Sequence, residues 1–328
     1  MKSVANVRIH ASQFPENVQR DLLASLRTRR VNHKFHYDSI KQTQKWLALH
    51  EAHSPARYDE NCLTTYDAAF AAAAKKIKAK SVHVIGLGCG GGQKDTQLLT
   101  LLKADGKKVC YTPCDVSTAM VLVAWQAALA VLPATKCFPF VCDLATANDL
   151  AEIFAESLAP RAPRLITFFG MIPNFAPQEI LPKLAALVRP QDWLLFSANL
   201  APGKNYAAGV NKVLPQYDNA LTRDWLLTFL TDLGIERCDG ELIFKLKNDA
   251  ANGLKRITAD FNFTRPRRIE IENEVFDFRA GETIQLFFSY RYTPARVGKI
   301  LSHHGLKVHE EWIAQSGEEG VFLCRRER

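Results

Sequence analysis

A doubly wound, Rossmann-like α/β sheet closed by an antiparallel terminal hairpin, together with a second α+β lobe, is the fold the sequence predicts. Three observations carry that expectation. Short apolar runs and amphipathic segments alternate five times between residues 82 and 198, the sequence form of a mostly parallel sheet with helices on both faces. A glycine-rich stretch from Gly86 to Gly92 follows the first apolar run directly. A helical segment and two strand-like segments end the chain, as an antiparallel closing pair requires.

Residues 15–75 read as helical, with apolar positions at helical spacing from Val18 to Leu26 and an alanine-rich run from Tyr66 to Ala79 that ends among lysines. The alternating region then predicts strands at Val82–Leu87, Lys108–Pro113, Lys136–Cys142, Arg164–Phe169 and Asp192–Ala198. Between and after them, helices are expected at Lys94–Lys103, Ser117–Leu132, Asn148–Leu158 and Gln178–Val188. Pro202 to Asn205 reads as a turn, and Asp218 to Leu233 as a helix. Residues 241–292 alternate in the manner of strands, notably Arg268 to Glu272 and Thr283 to Tyr292. A helix at Pro294–His304 and strands at Lys307–Ile313 and Gly320–Arg325 complete the chain. Residues 1–60 and 205–292 are therefore expected to form a substrate-binding lobe, and residues 61–204 and 293–328 a cofactor-binding core.

With 47% hydrophobic and 23% charged residues, the 328-residue chain has the composition of a globular protein with a sizeable core. No apolar run reaches the length of a membrane span, and the first residues lack the apolar region of a signal peptide, so a cytoplasmic protein is expected. The eight cysteines include no Cys-x-x-Cys pair, and several lie in apolar runs, which predicts reduced structural thiols and no metal site. The formal charge of +8 is concentrated in Arg27–Arg30 and Arg265–Arg268, but neither cluster carries the interleaved aromatics of a nucleic-acid platform. Five scattered tryptophans and the pair His303-His304 read as packing and solvated groups.

The chemistry starts at Val84-Ile85-Gly86-Leu87-Gly88-Cys89-Gly90-Gly91-Gly92. Missing side chains let such a loop approach a ligand, and the following helix offers free N–H groups. The spacing also satisfies the dinucleotide pattern, so the loop alone does not separate an adenosyl cofactor from a nicotinamide one. The acids that follow favour the former. Asp115, before Val116 and Ser117, ends the second core strand, where a carboxylate accepts both ribose hydroxyls. Asp143 ends the third, placed for an adenine amino group with Leu144 against the ring; a dinucleotide site has no need of it. Each acid could instead cap a helix. The fourth strand leads into Phe169-Gly170-Met171-Ile172-Pro173-Asn174-Phe175, where Asn174 either orients a substrate amine or caps the helix after Pro177.

Taken in order, these pieces resemble the histidine Nα-methyltransferases of ergothioneine biosynthesis. The resemblance runs through Tyr37-Asp38, Pro55-Ala56-Arg57, the glycine loop with Lys94, Asp115-Val116-Ser117, Asp143, Gly170 with Asn174-Phe175, Tyr217-Asp218 with Thr222, and Gly281-Glu282 ahead of Ser289. It implies S-adenosylmethionine (SAM) as cofactor, held by Gly86, Gly88, Cys89, Gly90, Lys94, Asp115, Val116, Asp143, Leu144 and Gly170. It also implies an amino-acid site lined by Tyr37, Asn174, Tyr217, Phe287 and Ser289, with Asn174 and Tyr37 orienting the reacting amine. The departures are specific. Gly86 stands where an acid is usual, the stretch between Gly170 and Asn174 is shortened, and Ser54 replaces a pocket tyrosine. Phe287 of Phe287-Phe288-Ser289 stands where the resemblance places an imidazole-binding glutamate.

The expected function is therefore methyl transfer from SAM to the nitrogen of a small amino acid or amine other than histidine, without nucleic-acid or membrane partners. The competing readings are a SAM enzyme for another acceptor (thiol, hydroxyl or RNA), a cofactor-binding protein without catalysis, and a nicotinamide oxidoreductase.

Overall fold

The structure, a computed structural model, describes residues 4–157 and 162–327. The expected helix end at Leu158 lies outside the described residues. In chain order, β1 (Arg8–Ile9), α1 (Pro15–Thr28), α2 (Ile40–His53), α3 (Pro55–Tyr58) and α4 (Glu60–Lys76) precede the alternating region. That region runs β2 (Ser81–Leu87), α5 (Gln93–Ala104), β3 (Lys108–Asp115), α6 (Thr118–Ala128) and β4 (Phe140–Val141). It continues with α7 (Leu150–Ser157), β5 (Arg164–Phe168), α8 (Pro177–Leu187) and β6 (Trp193–Asn199). Then come α9 (Tyr206–Val213), α10 (Ala220–Asp232), β7 (Gly240–Asp249), β8 (Leu254–Phe263), β9 (Arg267–Ile271), β10 (Glu274–Phe278) and β11 (Thr283–Arg291). The chain closes with α11 (Pro294–His303), β12 (Leu306–Ile313) and β13 (Glu319–Arg326).

Two compact units result: Met1–Gln13, Pro55–Leu200 and Tyr292–Arg328 in the first, Phe14–Ser54 and Ala201–Arg291 in the second. The first holds an eight-stranded sheet in the order β1-β4-β3-β2-β5-β6-β13-β12. Strands β1 to β6 pair in parallel, while β13 and β12 are antiparallel. Strand order reverses at β2, which lies between β3 and β5, and in such sheets the crevice at the carboxyl ends of these strands is the ligand site. The sheet forms because β2, β5 and β6 are buried almost throughout, as strands covered on both faces must be. Tyr66, Phe70 and Ala73 of α4 pack into the same core as Val84, Leu98 and Leu195. Each large apolar side chain so buried contributes about 1.5–3 kcal/mol.

The structure departs from the sequence expectation in three places. Residues up to Gln13, expected in the lobe, belong to the first unit because Arg8 and Ile9 pair with Phe140 and Val141. The break expected after residue 60 falls at Ser54. The third core strand, expected over 136–142, shrinks to Phe140–Val141, with a 3-10 turn at Ala134–Lys136 and a lone bridge between Tyr111 and Cys137. Pro139 lacks the N–H that a continuous ladder needs.

The second unit contains the three-stranded antiparallel sheet β11-β8-β7, the two-stranded β9-β10 hairpin, and helices α1, α2, α9 and α10. Its core joins Leu26 of α1 and Trp225, Leu226 and Phe229 of α10 to Phe261, Ile284, Leu286 and Phe287 of the sheet. Ser39 starts α2 with a reciprocal capping box to Gln42, and Asn219 caps α10 through Thr222 N–H. Helix α9 was not expected. It begins at the cap Asn205, and Gly209 permits an approach to Pro202 so close that a Cβ there would lie 2.3 Å from its carbonyl oxygen.

Candidate active site

In the first unit the glycine loop leaves β2 and enters α5. Gly88 adopts φ +63°, a conformation that excludes most side chains, and a Cβ on it would come within 2.5 Å of the Met171 thioether. Cys89 N–H donates to Cys114 O at 3.0 Å, and Gly90 N–H donates to Asp115 Oδ2 at 3.1 Å. Asp115 Oδ1 accepts the Ser117 N–H at 3.1 Å, and Val116 O accepts from Gln13 Nε2 at 3.2 Å. The Asp115 carboxylate is buried, which pushes its pKa up to about 6 against the opposing pull of the Ser117, Gly90 and Val116 N–H groups. It pairs with no cation among the described residues. The helix-cap alternative for Asp115 is excluded, because Ser117 caps α6 through Met120 N–H.

Asp143 lies two residues past the end of β4. Its N–H donates to Ser12 Oγ at 2.9 Å, and its Oδ1 accepts Ala145 N–H at 2.8 Å, so the side chain closes a turn. Leu144 beside it is buried. At the end of β5, Gly170 (φ +67°) donates its N–H to Ser197 Oγ at 2.9 Å, and a Cβ there would meet nothing within 4 Å. Asn174 closes a short 3-10 turn, Ile172–Asn174, and is half-buried. The N-cap of α8 is Ala176, so Asn174 caps no helix, and its side-chain amide bonds to no protein group among the described residues.

Lys94 donates to the Tyr66 hydroxyl at 2.7 Å, lies 4.1 Å over the Tyr66 ring, and stands 3.9 Å from the Glu319 carboxylate. Tyr66 donates in turn to Glu319. Burial holds the Lys94 ammonium below its ordinary pKa, and Glu319 opposes that shift. Gly86 differs from expectation. It lies inside β2, and the space its missing side chain leaves is filled by the Asp95 carboxylate, 2.0 Å from where a Cβ would be. Close approach to a ligand is not what this glycine provides. The other residues fit an adenosyl cofactor on two observations: a buried acceptor carboxylate at Asp115 that takes backbone N–H groups of Gly90 and Ser117, and open space beside Gly170.

In the second unit, Phe287, Ser289 and Arg291 share one face of β11, beyond a bulge between Gln285 and Phe287. Arg291 Nη2 donates to the Tyr217 hydroxyl at 2.9 Å, and the same hydroxyl shares a hydrogen bond with Ser289 Oγ at 2.8 Å. Phe287 is 7% exposed and touches three rings: His33 edge-on at 5.4 Å, Trp225 at 5.8 Å and Tyr217 at 6.2 Å. Tyr37 lies 5.4 Å from Trp225 and 6.0 Å from Trp46. Burial, helped by His36, holds His33 down to about 3, and burial holds His36 to about 4, so both rings are uncharged at neutral pH. The unit therefore gathers Tyr37, Tyr217, Phe287 and Ser289, and adds His33 and Trp225, which sequence reasoning missed. Met171 and Ser197 were missed in the first unit. Only Met171 carried a signal, its place beside Gly170.

The basic clusters are largely spent on internal partners. Arg27 pairs with Glu274, and Arg29 stacks 3.7 Å over Phe278. Arg265 and Arg267 both pair with Asp239, and Arg268 with Glu270. All eight cysteines are free thiols, and no helix among the described residues is long and apolar enough to cross a membrane.

A family model described as histidine-specific, SAM-dependent methyltransferase matches residues 18–326. The chain is 25% identical over 245 residues to the N-methyltransferase imqF of Aspergillus flavus, a match that covers 73% of this chain and 66% of that protein, just under two thirds of its length. Among solved structures it is similar to the SAH-bound magnesium protoporphyrin IX methyltransferase of Synechocystis PCC 6803 (13% identity, 89% of this chain and 97% of that one, TM-score 0.47). It is also similar to CalS10, the SAM-bound amino pentose methyltransferase of Micromonospora echinaspora (14% identity, 85% and 96%, TM-score 0.40).

Proposed function

Since the chain belongs to the family of histidine-specific, SAM-dependent methyltransferases, we propose that it transfers the methyl group of SAM to the nitrogen of a small amine or amino acid with an apolar or aromatic side chain, and not to histidine. The observation that carries this reading is the surround of Phe287. An imidazole acceptor needs a polar partner for its buried N–H, and leaving such a group unpaired costs about 1–3 kcal/mol. Phe287 offers a ring, and the groups against it, His33, Trp225 and Tyr217, are themselves aromatic. An aromatic or apolar side chain gains contact there of the kind that aromatic pairs supply, about 0.5–1.5 kcal/mol beyond area burial. The name of the Aspergillus relative, an N-methyltransferase, supports nitrogen as the acceptor atom.

Bound SAM supplies an electrophilic methyl group, and the residues act by placement. In this reading Asp115 accepts the ribose hydroxyls, Asp143 and Leu144 take the adenine, and Gly88, Cys89, Gly90 and Val116 shape the loop around the cofactor. Lys94, held by Tyr66 and Glu319, pairs with its carboxylate tail. Asn174 accepts an N–H of the acceptor through its amide oxygen and so aims the lone pair. Alignment of two reactants supplies up to about 7–11 kcal/mol of barrier lowering, so no strong base is needed once the amine is uncharged.

Transfer from radiolabelled SAM to a panel of free amino acids and arylalkylamines tests the proposal. The aromatic members should be methylated, and Phe287→Glu should shift the preference toward histidine by tenfold or more. Efficient methylation of histidine by the unaltered protein contradicts it.

A further inference from the structure

Asp95 is not among the residues proposed to touch the cofactor or the acceptor, yet it sits where the glycine loop enters α5. It is the third residue of α5, in the first turn after the glycine loop, and only 3% exposed. Its carboxylate does not point to solvent or cap its own helix. Oδ2 accepts the Tyr111 hydroxyl from β3 at 2.7 Å, and Oδ1 accepts the Thr167 hydroxyl from β5 at 2.7 Å. Between those strands runs β2, and there Oδ2 fills the hole left by Gly86, whose Cβ would fall 2.0 Å from it and 3.2 Å from the Tyr111 oxygen. One side chain thus spans the three central strands at the point where strand order reverses.

The loop between Leu87 and Gly92 is consequently held from two sides. Asp115 takes the Gly90 N–H on one, and Asp95 locks β2 to the start of α5 on the other. Burial of a carboxylate is unfavourable unless its acceptors are used. Both oxygens are, and those hydroxyl bonds oppose the rise in pKa that burial produces. We propose that Asp95 is a positioning residue for the cofactor, its carboxylate fixing, through the space vacated by Gly86, the height and angle at which the glycine loop leaves β2. The proposal rests on the reading that this loop holds SAM.

Calorimetric titration with S-adenosylhomocysteine at 10 °C, on samples whose fold is checked by thermal unfolding, tests it. Asp95→Ala should weaken binding at least tenfold in protein that remains folded. Gly86→Ala should do the same, because its methyl lands on the carboxylate oxygen. The double variant Gly86→Ala/Asp95→Ala should be no weaker than the worse single one, since both changes remove one device. A carboxylate returned from the strand, in Gly86→Asp/Asp95→Ala, should bring affinity to within threefold of the unaltered protein, a rescue that mere stabilisation would not produce. Asp95→Asn keeps the shape and one acceptor, and should weaken binding less while leaving the fold intact. Wild-type affinity in Asp95→Asn and Asp95→Ala, multiplying losses in the double alanine variant, or no rescue by the strand aspartate would each overturn the proposal. Asp115→Ala separates the two readings. If it weakens binding while Asp95→Ala does not, only the Asp95 proposal fails. If neither does, the loop is not the cofactor site and both fail.

Discussion

Lowering the pH should weaken cofactor binding through Asp115 before it unfolds the protein. Burial raises this carboxyl from 3.8 to about 6, so it is largely neutral at pH 5 and anionic at pH 7.5. Ribose hydroxyls donate hydrogen bonds, and the anion is the better acceptor. If binding requires the anion, the apparent dissociation constant grows by the inverse of the ionised fraction, which is about tenfold at pH 5 and negligible at pH 7.5. That is about 1.4 kcal/mol. The sign for folding is opposite. The unfolded carboxyl ionises near 3.8 and the folded one near 6, so this group's contribution to stability is most favourable below 3.8 and is lost as pH rises through about 6. Cofactor affinity should thus climb over the same interval in which Asp115 stops favouring the folded state. The assay is titration with S-adenosylhomocysteine from pH 5 to 8, in the unaltered protein and in Asp115→Asn. The variant should bind more weakly at pH 7.5 and lose the acid-side slope. A slope that persists in Asp115→Asn would refute this assignment of the titrating group.

Asn174→Ala should leave thermal stability within about 0.5 kcal/mol, because the residue caps no helix, while methyl transfer falls and cofactor affinity stays. Equal losses in unfolding free energy and turnover would show a structural role instead. Tyr217→Phe removes one acceptor of the Arg291 guanidinium and a partner of Ser289, and should destabilise the protein by about 1–3 kcal/mol in denaturant titration while raising KM for the acceptor. Activity should rise with pH as the acceptor ammonium, of a kind that ionises at about 8–10, loses its proton. A rate independent of pH between 7 and 9 under kcat/KM conditions would point to an acceptor other than an amine.

The sheet was legible because it rests on local alternation: β2, β5 and β6 are mostly apolar segments between helices. What escaped was too short or broken to carry a period. Strand β1 is two residues whose partner lies in β4, and Pro139 interrupts the ladder in a run whose hydrophobicity alone reads as one long strand. The acids at the ends of β3 and β4 could be read because position after a strand is a sequence property. Gly86 could not, since its role depends on a carboxylate nine places along that helix α5 turns back onto the sheet. Phe287 stood out by its place, but its neighbours His33 and Trp225 come from distant stretches that meet only in the folded second unit.

Competition in one vessel tests the central claim most directly. The unaltered protein receives limiting SAM with equal concentrations of histidine and an aromatic amine or amino acid that the panel identifies, and products are counted by mass spectrometry. The product ratio is the ratio of kcat/KM values and so reports discrimination at the transition state. An acceptor site built around Phe287 predicts at least tenfold more methylated aromatic product than methylated histidine. Equal or greater methylation of histidine would contradict it.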